Sequence, residues 1–308
     1  MDRQVAFRTR AERRRGLALL LASSMAFGAM PILAKLAYSE GLQPSGLLAY
    51  RFAIAAVLLQ LIAPRGQPAP AIRTRLVLWG LGAVFSVNAI LYFSALSLAP
   101  ASVVVLLFYI YPVVVALMSA GAGLERLTVR GLAAALLAAV GAGLTAASAP
   151  ALGGRAGEWL ALGAAVVFSL YVVLGGIWAS EVPSETATRH VVQAAAAVFA
   201  VVASASGALR VTWTPTMAAS VFAIATLCTV LALRAFLAGL ARLGPPASAV
   251  VNAFEIPITM TLAVMFLGER ISLWQGLGAA LIGGAILLRT GRLLRPRPAG
   301  ERAGGSAE

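Results

Sequence analysis

The sequence predicts an all-α integral membrane fold of ten transmembrane helices, arranged as two inverted five-helix repeats. Three observations predict it. Of 308 residues, 60% are apolar and 11% charged, whereas about a quarter of a soluble domain is charged. Runs of roughly 20 apolar residues, enough to cross about 30 Å of hydrocarbon, recur along the chain. The end of the first half also matches the end of the second.

In order, the apolar runs fall at 17–38, 45–63, 76–97, 101–121, 131–149, 159–178, 188–206, 217–240, 247–267 and 272–290. The first follows a basic cytoplasmic tail, 1–15, and exceeds the 7–15 residues of a cleavable signal core, so it reads as a retained helix. The seventh is alanine-rich and only mildly apolar. The last leads into a second cytoplasmic tail, 291–308, expected to be disordered. Between the tails lie a first repeat, 16–149, and a second, 150–290.

Orientation follows from the arginines, which favour the cytoplasmic side of short loops. With the N-terminus inside, that side collects Arg3, Arg8, Arg10, Arg13, Arg14, Arg15, Arg65, Arg73, Arg75, Arg126, Arg130, Arg189, Arg242, Arg289, Arg292, Arg295, Arg297 and Arg302. The other side holds Arg155, Arg210 and Arg270. Ten crossings return the C-terminus to the cytoplasm, and the expected location is a cytoplasmic (inner) membrane.

ASVVVLLFYIYPVVVALMSAGAGLERLT from Ala101 matches ASAVVNAFEIPITMTLAVMFLGERIS from Ala247. More weakly, PSGLLAYRF from Pro44 aligns with PSETATRHV from Pro183, which sets Arg51 opposite His190. Five helices per repeat is an odd number, so the second copy must enter the membrane from the opposite side, a known transporter architecture.

Several functions are poorly supported. The net charge of +13 sits in tails and short loops with no aromatic-interleaved face, so no nucleic acid is expected. A lone Cys228 and a lone His190 cannot supply a zinc site, and no metal or cofactor is expected. No nucleotide-binding loop occurs.

The chain is similar to the EamA-type members of the drug/metabolite transporter superfamily from about Gly16 to Leu288. The likeness is most specific over GLARLGPPASAVVNAFEIPITMTLAVMFLGERISLWQGLGAALIGGAILL and its first-half counterpart from Tyr92. Members usually carry Glu-Pro in the ninth helix, about 14 residues before the Gly-Glu-Arg glutamate. Here Glu255 keeps that spacing from Glu269, while the proline stands at Pro257. The resemblance implies a transporter class, including exporters of amino acids and other metabolites, and no particular substrate.

Charge at membrane depth costs at least ~2.5–3.5 kcal/mol on insertion scales, which singles out Lys35, Arg51, Arg234 and Glu255. At ~1.5 Å per residue, Glu255 and Arg51 fall within about 4 Å of the midplane, Arg234 about 8 Å and Lys35 about 12 Å away. Lys35 can snorkel to the outer interface. Glu255 is a candidate for substrate binding or proton coupling; the alternative is a structural ion pair with Arg51 or Arg234. Arg51 has a planar fork suited to a carboxylate or phosphate, and His190 reads as interfacial.

Asn88, Tyr92, Tyr109, Tyr111 and Asn252 could line a cavity or simply join helices by hydrogen bonds. Tyr111 stands 14 residues before Glu125 as Glu255 does before Glu269. Pro31, Pro112 and Pro257 are expected to interrupt helices one, four and nine, as gates or as tolerated kinks. Small residues recur every fourth position in helix five (Gly131, Ala135, Ala139, Gly143) and helix ten (Gly276, Ala280, Gly284). These helices should therefore pack on each other, or on a second copy as a homodimer. The Glu125-Arg126 and Glu269-Arg270 pairs read as caps and anchors. The functional expectation is a secondary transporter, an exporter of a small metabolite such as an amino acid, working by alternating access. The alternative is a passive channel, although no filter-like motif is seen. An enzyme is not expected.

Overall fold

The computed structural model describes residues 10–63, 70–123, 128–148, 155–178, 182–243, 251–252 and 254–290. The distal parts of both tails, Arg65, the Glu125-Arg126 pair and the first residues of the ninth apolar run lie outside the described residues. The first repeat contains α1 (Arg10–Ser39), α2 (Pro44–Leu61), α3 (Ile72–Leu98), α4 (Ala101–Phe108), α5 (Tyr111–Gly121) and α6 (Val129–Ser148). The second contains α7 (Ala156–Trp178), α8 (Ser184–Ala205), α9 (Pro215–Ala225), a π-helical turn (Thr226–Leu231), α10 (Ala232–Leu243), α11 (Glu255–Leu267) and α12 (Leu273–Thr290).

Among the described residues, seven helical stretches are long and apolar enough to cross a membrane, with α4–α5 counted as one and α9 to α10 as another. Three shorter apolar helices accompany them, over Val129–Thr145, Glu255–Leu267 and Leu273–Leu288. The alanine-rich seventh run is a full helix, α8. Large side chains such as Leu61, Leu76, Val129 and Leu273 project outward, as they must where the surrounding solvent is hydrocarbon. All five tryptophans are exposed, and Trp159, Trp178 and Trp274 sit at helix ends, where indole rings prefer the headgroup level.

Packing follows the internal repeat. The counterparts α2 and α8 pack on each other, as do α6 and α12, and α4 packs on α11, the half-helix equivalent to α5. Other contacts come in matched sets: α3 on α7 mirrors α1 on α10, α3 on α8 mirrors α2 on α9, and α5 on α7 mirrors α1 on α11. Counterpart helices run antiparallel. Along α2 and α8, Ser45 Oγ lies 3.4 Å from Ser206 Oγ at one end and Gln193 donates to Gln60 over 3.3 Å at the other. This is the relation that inverted copies require.

Helices α6 and α12 do meet within the chain, but in a different register from the expected stripes. The buried face of α6 is Gly131, Ala134, Ala138, Gly141 and Thr145, while Ala139 and Gly143 are exposed. On α12 the buried face is Gln275, Gly278, Ile282 and Ala285, while Gly276 and Ala280 are exposed. A step of four residues turns about 400° on a helix of 3.6 residues per turn, so a four-residue repeat drifts ~40° per step and leaves the interface. Closest approach is at Gly141 and Gly278, where a Cβ on Gly141 would stand 2.8 Å from the Gly278 carbonyl oxygen.

Two helices are broken at equivalent places. Ile110 N–H bonds to the Leu107 carbonyl and Phe254 N–H to the Val251 carbonyl, each a three-residue turn, after which α5 starts at Tyr111 and α11 at Glu255. Pro112 lies in the first turn of α5 and removes the N–H that would bond Phe108, which suits a fresh start. Pro257 occupies the first turn of α11 likewise. Pro31, by contrast, lies inside an uninterrupted α1. The expected break there is absent; beside it the Gly28 carbonyl accepts from Thr259 Oγ1 at 3.0 Å.

Candidate functional site

The broken helices put Glu255 at the first residue of α11, 9% exposed. Tyr109, at the other break, donates to its carboxylate over 2.6 Å, and the same hydroxyl lies 2.9 Å from the Asn252 carbonyl oxygen. Asn252 is itself tied to α1, its side-chain oxygen accepting from Ser24 Oγ at 3.4 Å. Glycine at 28 lets α1 pass this close: a Cβ there would stand 2.7 Å from Ile258 Cγ2. By the internal repeat Tyr111 occupies the position equivalent to Glu255. Both residues do open their half-helices, but Tyr109 makes the bond.

Around this pair the walls are aromatic. Tyr111 packs on Tyr109, Phe108 and Phe168 with ring centroids 5.7, 5.4 and 4.9 Å apart. Tyr92 stands 4.9 Å from Phe108 and within electrostatic reach of both Glu255 and Arg51.

Arg51, in α2, is 6% exposed. Its Nε donates to Thr229 Oγ1 over 2.9 Å, and its guanidinium carbon lies 4.9 Å from the Phe52 ring centre and 5.1 Å from that of Phe93. Thr229 belongs to the π-helical turn, where its own hydroxyl donates to Ile224 at 2.8 Å, five residues back. A π turn exposes such an acceptor where an α-helix would not, and such turns concentrate at functional sites. Nothing in composition or periodicity marks Thr229.

No ion pair joins Glu255 to Arg51 or Arg234 among the described residues, where Arg155 pairs with the buried Glu158 at 3.6 Å. No fully buried side-chain nitrogen or oxygen among the described residues lacks a partner. The terminal nitrogens of Arg51 make no hydrogen bond among them.

Other candidates fall elsewhere. Asn88 is buried and donates to Ala164 at 2.9 Å, joining α3 to α7. His190, expected at the interface, is buried with Nδ1 2.9 Å from the Thr186 carbonyl oxygen. Arg234 is exposed and lines a cleft at the arginine-rich end with Arg189, Glu185, Thr186 and Val230.

At the opposite end the halves are fastened together. Gly268, at φ +65°, ends α11, a conformation that favours glycine. The chain then turns back so that Glu269 meets the start of α4. Its carboxylate accepts from Ala101 N (2.6 Å), Ser102 N (3.1 Å) and Ser102 Oγ (2.6 Å). Helix α4 has Pro100 before it and no side-chain cap of its own, so a carboxylate from the other repeat satisfies its open N–H groups. Lys35 lies within electrostatic reach of Glu269. Nearby, Tyr50 donates to the Leu209 carbonyl at 2.9 Å and Tyr38 to that of Phe93 at 3.0 Å.

The sequence profile of the EamA-like transporter family matches residues 14–147 and 155–290, one match per repeat. A solved crystal structure aligns with a TM-score of 0.62 at 24% identity, covering 92% of this chain and 100% of its own; that likeness supports the fold alone. No curated protein matches the chain.

Proposed function

The chain belongs to the EamA-like transporter family of multi-pass membrane proteins, within the drug/metabolite transporter superfamily, and from that premise we propose that it exports a small metabolite such as an amino acid by proton-coupled alternating access. The single observation that carries the reading is Glu255, buried at a helix break and bonded to Tyr109 rather than to a cation. A structural carboxylate at this depth would be expected to sit on an arginine. Tyr109 instead suits both protonation states. It donates to the ionised carboxylate; when Glu255 carries a proton, the acid donates to the Tyr109 oxygen and Tyr109 donates to Asn252, 2.9 Å away. A group able to gain and lose a proton without losing its partner is what coupling requires.

Ten crossings, with α4–α5 as the fourth and α9 to α10 as the eighth, place both termini in the cytoplasm of an inner membrane by the arginine bias. The described state is then closed outside, where Glu269 ties α11 to α4, and indented inside, where the arginine-lined cleft opens. Inverted copies exchange these roles by rocking against each other about the pseudo-symmetry axis.

The test is flux of a panel of labelled amino acids and other metabolites in proteoliposomes, with and without a pH gradient, for wild type, Glu255→Gln and Tyr109→Phe. Gradient-dependent flux should be lost in the first and fall at least about tenfold in the second. Undiminished flux in Glu255→Gln would make that carboxylate structural.

A further inference from the structure

We infer that the transported solute carries an anionic group, carboxylate-like or phosphate-like, on an apolar body, and that it is first held in the arginine-lined cleft before its charge reaches Arg51. This rests on the transporter reading and names the substrate class for the same site.

Arg51 is the first half of the case. A guanidinium this deeply buried needs a compensating charge, yet among the described residues it has no acidic partner. The one buried carboxylate of the aromatic-walled site, Glu255, is engaged by Tyr109. Thr229 holds Nε, and Phe52 and Phe93 lie against the guanidinium. What remains is the edge bearing the two terminal nitrogens, which make no hydrogen bond among the described residues. That edge is the planar fork that binds carboxylate or phosphate bidentately. A threonine anchor and two aromatic neighbours fix its direction without neutralising it.

The cleft is the second half. It is an open indentation with a cavity volume of about 40 Å³, room for a charged headgroup and not for a whole solute. Arg189 and Arg234 line it against the single acid Glu185, with Thr186 and Thr188 as further polar groups. Its other walls are Leu59, Ile62, Ala63, Val230 and Leu233. Among the described residues neither arginine is ion-paired. Two cations against one anion favour a monoanion, and five aliphatic walls favour a solute with a hydrocarbon part over inorganic phosphate.

Position joins the halves. Val230 in the cleft follows Thr229, which holds Arg51. Leu59, also in the cleft, is eight residues beyond Arg51 on α2, about 12 Å along the axis. The cleft therefore lies on the approach to Arg51 from the arginine-rich end, and an anion would meet Arg189 and Arg234 first.

The test uses the full chain in phosphatidylcholine nanodiscs, with calorimetric binding of hexanoate, hexyl phosphate, hexylamine, hexanol and inorganic phosphate. Hexanoate and hexyl phosphate should bind; hexylamine, hexanol and inorganic phosphate should bind at least tenfold more weakly. Arg51→Gln should weaken hexanoate about tenfold or more. Arg189→Gln with Arg234→Gln should weaken it severalfold and flatten its dependence on ionic strength. Arg51→Lys keeps the charge and loses the fork, so a hexanoate loss in that variant, with melting temperature retained, reads the fork even if Arg51→Gln misfolds.

Equal binding of hexylamine, or hexanoate binding indifferent to all three arginines, would overturn the proposal. So would competition by phosphatidylglycerol nanodiscs with no binding of either organic anion, which would assign the cleft to a lipid headgroup. Arg51-dependent hexanoate binding without any solute flux would uphold the anion-binding site at Arg51 and sink the transporter reading. Flux of neutral or cationic solutes without anion binding would do the reverse.

Discussion

Removing the Glu269 carboxylate should release the outer end of the molecule. In Glu269→Ala three hydrogen bonds disappear, to Ala101 N, Ser102 N and Ser102 Oγ at 2.6, 3.1 and 2.6 Å. Glu269 is half-buried, so the ordinary net value of ~1 kcal/mol per bond is appropriate, about 3 kcal/mol in all. If these bonds exist only when the outer end is closed, the closed-to-open ratio falls roughly a hundredfold, at 1.4 kcal/mol per factor of ten. The assay is pulsed electron–electron distance measurement between spin labels on Ser97→Cys and Arg270→Cys, both exposed positions, in a Cys228→Ser background that removes the lone cysteine. Wild type should show one short population. Glu269→Ala should show a longer one, and Glu269→Gln, which keeps one acceptor oxygen, should lie between. An unchanged distribution with a lowered melting temperature would refute the reasoning, because the carboxylate would then cap α4 in every state.

Three further outcomes follow from particular contacts. Gly28→Ala puts a methyl 2.7 Å from Ile258 Cγ2 and should cost ~1–3 kcal/mol of overpacking, read as a lower melting temperature that Ile258→Ala restores; failure of the second change to rescue would place the strain elsewhere. Gly278→Ala should destabilise the α6–α12 contact, because its methyl would press on the Gly141 carbonyl, whereas Gly276→Ala and Gly143→Ala meet nothing within 4 Å and should leave the melting temperature unchanged. Thr229→Val takes the acceptor from Arg51 Nε at similar volume and should weaken hexanoate binding about tenfold, while Thr229→Ser retains it; equal binding by all three chains would mean that Phe52 and Phe93 alone orient the guanidinium.

How far the sequence could be read depended on the distance over which each feature is determined. Span length and hydropathy are local, and the alanine-rich seventh run proved a full helix. The helix breaks were legible from Pro112 and Pro257 because a missing N–H acts within one turn. The small-residue stripes were legible as composition but not as register. A four-residue count keeps step with α6 and α12 only for a turn or two, and Gly141 rather than Gly143 reaches the partner helix. Pairings between repeats were not legible. The carboxylate of Glu269 was readable as a cap, yet the helix it caps starts 168 residues earlier, and only folding brings Gly268 and Pro100 together. Likewise Tyr109 and Tyr111 differ by two positions, and the conformation of the break decides which hydroxyl meets Glu255.

The repeats share their backbone and differ in their chemistry, and that difference is what a single coupling site demands. Both halves break a helix after a three-residue turn, at Ile110 and at Phe254, so either half can open or close by the same movement. At the positions that follow the breaks, however, one half places Tyr111 and the other Glu255. At the equivalent positions of α2 and α8, one half places Arg51 and the other His190, which is spent on its own helix at Thr186. Duplicating Glu255 would bury a second carboxylate among the same aromatic rings, at a cost no described cation offsets. Under the proposed alternating access, backbone symmetry supplies two access states of matched geometry, while side-chain asymmetry leaves one buried carboxylate and one buried guanidinium for both states to share. On that proposal, a solute whose charge satisfies Arg51 must do so whichever end is open, and Arg51 and Glu255 are then the fixed points about which the halves would move.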